Sequence, residues 1–309
     1  MKKLKMYLYP NRKPVCCDLS PLPGYKNCTP FSQKGMEDWV ESVSPWNAEF
    51  FYMGEINPSM PTIEQKNWEF WNEYKRFHIA DLEGDYNNTT IREDLKDSIV
   101  TSSCIPIHWK NRYAMGRPAL SKFLVYIVRH MHEEFSIPNS ISFGFKGEMD
   151  VKGNTRVKTY KALRLAKLQA NYQFNPGWSG RVNVDQAICK QYQDVMINNL
   201  IAVCPQGAGI GTIRRFEACY FTQVPVIIGE CLYTGYDYYD TSFAYQLPST
   251  LTQTELANEL TKIAETPISE LQDRAKAARV YFDTVVRNYF KDPTLFFLNY
   301  LERHNLWNP

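Results

Sequence analysis

Hydrophobic positions along the chain recur with two different periods, and the switches between them mark out its elements. Short, nearly unbroken apolar runs at 5–9 (KMYLY), 48–54 (AEFFYMG), 75–80 (KRFHIA) and 97–104 (DSIVTSSC) predict strands. The segment 64–74 (EQKNWEFWNEY) predicts a helix. So does 116–135, where Leu120, Phe123, Leu124, Ile127, Val128 and Met131 fall at helical spacing. A breaker, Ser136-Ile-Pro-Asn-Ser140, interrupts that pattern. Strand, helix and strand then alternate. ISFGFKG (141–147) reads as a strand, 155–172 and 185–198 as helices, and LIAVCP (200–205) and VPVIIG (224–229) as buried strands enclosing a helix over 212–222. Two further helices are expected near 253–265 and 268–288, followed by an aromatic terminal segment.

Alternation of this kind needs parallel sheets covered on both faces. The pattern therefore predicts an α/β protein of two Rossmann-like domains facing a cleft. The first domain is expected at 1–139 and the second at 140–289, with a final helix near 290–309 that crosses back to the first.

Composition narrows the functional classes. The 309 residues carry 35 basic against 33 acidic side chains, so no general basic field exists to hold nucleic acid. No stretch of 18 apolar residues occurs and the start shows no run of signal-peptide length, so a soluble, cytoplasmic protein without a membrane span is expected. Eight cysteines form no paired CxxC pattern and read as buried thiols, which favours a reducing compartment.

The segment Asn199–Glu230 is the richest in chemistry. Its first strand runs into Gly207, Ala208, Gly209, Ile210, Gly211 and Thr212, and the helix after that loop opens with Arg214 and Arg215. Backbone N–H groups at such a turn suit phosphates. The loop is not the dinucleotide fingerprint and lacks the lysine of a P-loop. Arg214 and Glu217 are three apart and share a helix face. As a plain ion pair they would be worth about a few tenths of a kcal/mol. As ligands, Arg214 would pair with a pyrophosphate and Glu217 would accept hydrogen bonds from ribose hydroxyls. Ile213, Phe216, Tyr220 and Phe221 are expected to form the buried stripe, with Arg215 pointing elsewhere as a surface or interdomain charge.

Cys204-Pro205, the glycine loop, Arg214-Arg-Phe-Glu-Ala218 and Val224-Pro-Val226 together resemble the signature of exostosin-like glycosyltransferases. FGFKG (143–147) followed by Arg156 resembles the opening of that family's second domain. Specific similarity spans about 140–250. The resemblance implies a GT-B fold and inverting transfer of a sugar from a nucleotide sugar, usually a UDP-sugar, to an oligosaccharide or glycoprotein glycan, with no essential metal or other cofactor. A pentose such as xylose is implied as a donor sugar. Arg156 joins the implied donor site. Gln206 and Thr222 depart from the family pattern, Thr222 standing where a glycine is usual.

Inversion needs one general base to take a proton from the acceptor hydroxyl. Asp81 is the first candidate, with Asp85 and Glu83 behind it; all three follow a predicted strand. His108, Trp109 and Arg112 are candidates for acceptor binding. Two other readings stay open: an NAD(P)-dependent oxidoreductase, with Glu230 in the ribose-binding position, and a non-catalytic carbohydrate-binding protein.

Overall fold

The computed structural model describes residues 3–8, 31, 36, 38–56, 78–82, 98–102, 105–106, 114–116, 118, 120–131, 135–148, 155–175, 184–207, 212–229, 231–232 and 240–308. The chain divides into two units. One comprises Met1–Arg117, Tyr233–Tyr236 and Asn288–Pro309; the other comprises Pro118–Leu232 and Asp237–Arg287.

The first unit holds a six-stranded sheet. Its strands are β1 (Leu4–Leu8), β2 (Val40–Ser42), β3 (Phe50–Ile56), β4 (His78–Leu82), β5 (Ile99–Ser102) and β7 (Ala114–Gly116), with a two-residue strand β6 (Ile105–Pro106) before the last. Every neighbouring pair in the sheet is parallel, in the order β2-β1-β3-β4-β5-β7. The register shifts between Tyr52 and Glu55, which brings Glu55 beside Asp81 and Asp81 beside Thr101. Aromatic side chains fill the core: Phe31 stacks on Tyr52 with ring centroids 5.1 Å apart, and Phe297 of the terminal helix meets Phe31 edge-on at 5.0 Å. That helix, Pro293–Arg303, begins with the Asp292 side chain accepting from Leu295 N and with proline in its first turn, both strong N-terminal signals.

The second unit holds a five-stranded, all-parallel sheet. Its strands are β8 (Phe143–Glu148), β9 (Ala170–Asn175), β10 (Ile201–Pro205), β11 (Val224–Ile228) and β13 (Tyr245–Leu247), with a short β12 (Cys231–Leu232) preceding the last. The order is β13-β11-β10-β8-β9. Both β10 and β11 are buried at every position, as parallel strands covered on two faces must be. Pro225 is tolerated in β11 because β13 pairs only from Val226 onward. The helices are α1 (Lys122–His130), α2 (Thr155–Leu165), α3 (Gln186–Ile197), α4 (Arg214–Tyr220), α5 (Gln253–Ala264) and α6 (Ile268–Tyr281). The core joins Phe143, Ile201, Val203, Val224 and Val226 of the sheet to Leu163, Leu256, Leu260 and Leu271 of the helices.

Three local differences from the sequence reading have identifiable causes. The helix expected over 155–172 stops at Leu165, because Lys167 takes φ 53° and Leu168 N donates back to Leu163 O, a Schellman cap. The residues beyond it form β9, whose Tyr172 and Phe174 alternate with Asn171 and Gln173 at strand period. The helix expected to 288 passes through a π turn at Phe282–Val286. The expected 116–135 helix is confined to Lys122–His130, started by the Ser121 side chain accepting from Leu124 N, and it belongs to the second unit. Among the described residues no helix is long and apolar enough to cross a membrane.

Candidate functional site

In chain order the second sheet's strands run β8, β9, β10, β11, β13, so the spatial order places the second strand on one side of the first and the third on the other. The crevice between β8 and β10 at their carboxyl ends is a topological switch point, where open α/β sheets bind ligands. Two arginines distant in sequence meet there. Arg156 enters from the first turn of α2, and its Nη1 donates to Glu148 O at 2.7 Å, tying it to the end of β8. Arg214 opens α4. Its guanidinium carbon lies 4.7 Å from the Phe145 ring centroid, and that of Arg156 lies 5.8 Å from the same ring. One aromatic ring on β8 thus has two cations beside it.

Two glycines make room for them. A Cβ on Gly147 would come within 3.0 Å of Arg214 Nη2, and one on Gly207 would collide with the Arg156 guanidinium. Gly207 therefore contributes by letting the chain pass close to Arg156, a role that loop spacing alone did not define. Behind the pair, Tyr172 stacks on Phe145 at 4.3 Å and donates its hydroxyl to Arg156 O at 2.8 Å. Burial pushes the Tyr172 hydroxyl pKa up, against the pull of Arg156 and Arg214. Burial also works against the charge on Arg214. Tyr192, Glu217, Cys204 and Tyr172 outweigh it, so its pKa stands above the ordinary arginine value.

Glu217 is 1% exposed. Its Oε1 accepts from Ser121 N at 3.1 Å, and its Oε2 accepts a short hydrogen bond from the Tyr192 hydroxyl. Tyr192 in turn accepts from Arg214 Nη1 at 3.3 Å. Arg214 and Glu217 are thus joined through Tyr192, a helix α3 residue that sequence reasoning missed. Nothing in its spacing separates it from an ordinary member of the buried stripe.

The same helix corrects two expectations. Arg215 is not a surface charge: it is 2% exposed, with its guanidinium carbon 4.8 Å from the Phe216 ring centroid. Ile213 is not in the buried stripe, being 37% exposed, while Phe216, Tyr220 and Phe221 are buried as expected. Helix α4 has seven residues and no side-chain cap, and the guanidinium groups of Arg156 and Arg214 add full positive charges at the Phe145 ring.

Of the other expected site residues, Thr212 lies beside α4 and its Oγ1 accepts from Arg214 N at 3.3 Å. Asp81 lies in β4 of the first unit. Ala208, Gly209, Ile210, Gly211, Glu83, Asp85, His108, Trp109, Arg112 and Glu230 lie outside the described residues. Cys189, Cys204 and Cys219 are buried thiols. Among the described residues, no three His, Cys, Asp or Glu side chains cluster closely enough to hold a metal ion.

Fold and site together define an α/β protein of two Rossmann-like units, one of which brings two arginines onto one aromatic ring at its switch point. No protein-family model matches the chain, and no curated protein matches it. Solved structures resemble it loosely. TarM is 12% identical with a TM-score of 0.42, covering 82% of this chain and 50% of its own, so this chain spans half the length of that one. WaaG, a glycosyltransferase involved in lipopolysaccharide biosynthesis, is 12% identical with a TM-score of 0.38, covering 90% of this chain and 85% of its own. A glycosyltransferase from Rickettsia africae ESF-5 is 13% identical with a TM-score of 0.38, covering 73% and 70% respectively. At such scores the likeness is distant, and the chemistry of the site rests on this chain's own residues.

Proposed function

We propose that the protein is a GT-B-type glycosyltransferase, transferring a sugar from a nucleotide diphosphate sugar to a glycan hydroxyl. One observation carries this reading: Arg156 and Arg214 converge on Phe145 beside Gly207 at the β8/β10 switch point. Two fixed guanidinium groups match a diphosphate in charge and in hydrogen-bonding geometry. They stabilise it most when the sugar–oxygen bond breaks and negative charge gathers on the leaving group. The reading needs no metal for that step. The exostosin-like motif adds a UDP-sugar donor, a pentose such as xylose included, and inversion at the anomeric carbon.

The acceptor step follows from inversion. Asp81, backed by Asp85 and Glu83, takes the proton of the acceptor hydroxyl; that oxygen bonds to the anomeric carbon as the bond to the diphosphate breaks and UDP leaves. His108, Trp109 and Arg112 are assigned to the glycan acceptor.

Calorimetric titration of the full chain with UDP, UDP-sugars and NAD, in buffer containing EDTA, tests the reading. A UDP compound should bind, and R214A should weaken it more than tenfold. If no UDP compound binds, the proposed donor site is wrong; binding of NAD alone transfers the case to an oxidoreductase.

A further inference from the structure

Glu217 combines a motif position with deep burial, and the two make different demands. A carboxylate reserved for a ligand should keep a lone pair facing the ligand's space. Glu217 has an Oε1 engaged by the Ser121 N–H, an Oε2 engaged by the Tyr192 hydroxyl, and 1% of its surface exposed. Both partners come from helices other than its own.

We propose that Glu217 and Tyr192 are positioning residues that hold the Arg214 guanidinium in place for the diphosphate, Glu217 itself touching no ligand. This rests on the nucleotide-diphosphate reading given above. An arginine has four rotatable bonds, and a flexible one must be ordered at the moment of binding, which weakens affinity. Here the ordering is done in advance. Nη1 donates to the Tyr192 hydroxyl, the guanidinium lies on the Phe145 ring, and its carbon is 5.5 Å from the Tyr192 ring centroid. The Tyr192 hydroxyl donates to a carboxylate, and that polarises its oxygen into a better acceptor for Arg214.

The far end of this chain of bonds is anchored as well. Ser121 is the N-cap of α1, its Oγ accepting from Leu124 N at 3.2 Å. In a capping box the residue at the third helical position returns a carboxylate to the N-cap N–H. That position is Leu124, which has none. Glu217 fills the role from across the fold, at the end of α1 where its dipole favours negative charge. The Tyr192 ring is fixed independently, stacked on Phe123 of α1 at 5.3 Å. Arg214, Tyr192, Glu217 and the start of α1 therefore form one connected unit, with its arginine end at the Phe145 ring of β8.

A double-mutant cycle with UDP as the probe tests this, using the full chain and calorimetric affinities for wild type, Y192F, R214A and Y192F/R214A. Phenylalanine keeps the ring stack and removes the hydroxyl. Y192F should weaken UDP binding about tenfold. In the R214A background the same change should have no further effect, because Tyr192 acts only through that side chain. A tyrosine with a merely structural role would lower the unfolding midpoint and leave the affinity of the folded protein alone; that result, or additive losses in the double variant, overturns the proposal. If Y192F does not fold, E217Q makes the same test, since its amide oxygen still accepts from Ser121 N while the charge is gone. A wild-type chain that does not bind UDP removes the donor site and this inference together. Wild-type binding with an unaffected Y192F removes this inference alone.

Discussion

The first and second units thread their sheets in the same permutation, with the second strand outside the first and the third on its other side, but they furnish the strand ends differently. In the second unit the described residues at the carboxyl ends of β8 and β10 bring together Arg156, Arg214 and two glycines. In the first, the described carboxyl ends of β3 and β4 carry Glu55 and Asp81, adjacent in register on neighbouring strands about 4.8 Å apart. The two sheets thus share a strand order and differ in the residue types described near the carboxyl ends of their strands. The fold provides the place, and the residues decide what happens there. Diphosphate binding calls for cations, whereas proton abstraction calls for a carboxylate, and that contrast is what the proposed transfer requires.

The sharpest way to break that comparison is to remove the charge from one edge and read the function of the other. Asp81→Asn should lower kcat about 10²- to 10⁴-fold, the range for losing a general base. UDP affinity should stay at the wild-type value, because Phe145, Arg156, Gly207 and Arg214, the residues proposed to hold the donor, all lie in the second unit. Steady-state kinetics with a UDP-sugar donor alongside UDP titration separates the two. Loss of UDP binding in Asp81→Asn, or unchanged kcat, would end the division of labour.

A smaller effect sharpens the cationic side. Gly207→Ala forces the Arg156 guanidinium to move, and the end of a flexible side chain can do so at little expense to stability. Its unfolding midpoint should therefore stay within a degree or two of wild type, while UDP affinity falls about tenfold, as expected when one charge-assisted contact is misplaced. A variant that binds UDP normally would show that Arg156 is not a ligand.

Much of this was legible in the chain. The buried strands around Val203 and Val226, the strand through FGFKG, and Arg156 and Arg214 as donor-site candidates all follow from runs, breakers and motif residues. What joins those two arginines was not legible. Phe145 reads as one more apolar strand residue, and its function depends on a neighbour 69 positions away in the chain, Arg214. Tyr192 reads as core because a helical stripe says which residues are buried and nothing about which hydroxyl meets which carboxylate. Arg215 was misread for a related reason. Sequence alone places a charge at the surface by default, whereas this guanidinium is buried with its carbon 4.8 Å from the Phe216 ring centroid. The β9 strand was hidden because a lysine, not a glycine, takes the left-handed position that ends α2.

That last device recurs in both units and supports the finest test. Lys167, Thr222 and Asn305 have φ of 53°, 56° and 53°, and each follows the cap residue of a helix. In each case the next N–H reaches back five residues: Leu168 N to Leu163 O, Gln223 N to Ala218 O and Leu306 N to Leu301 O. These are Schellman caps, in which glycine is usual and asparagine tolerated. The first unit uses asparagine at Asn305. The second uses a β-branched residue at Thr222, two positions before the buried strand β11, where left-handed backbone costs a non-glycine residue about 1–2 kcal/mol. Glycine would remove that strain but lose about 0.5–1 kcal/mol to the greater freedom of the unfolded chain. Thr222→Gly should therefore stabilise the protein by about 0.5–1 kcal/mol in denaturant unfolding, with UDP affinity unchanged, while Asn305→Gly should alter stability by less than about 0.5 kcal/mol. A destabilised Thr222→Gly would mean that the threonine side chain makes contacts worth more than its backbone strain, and that the turn into β11 is held by packing rather than by the cap.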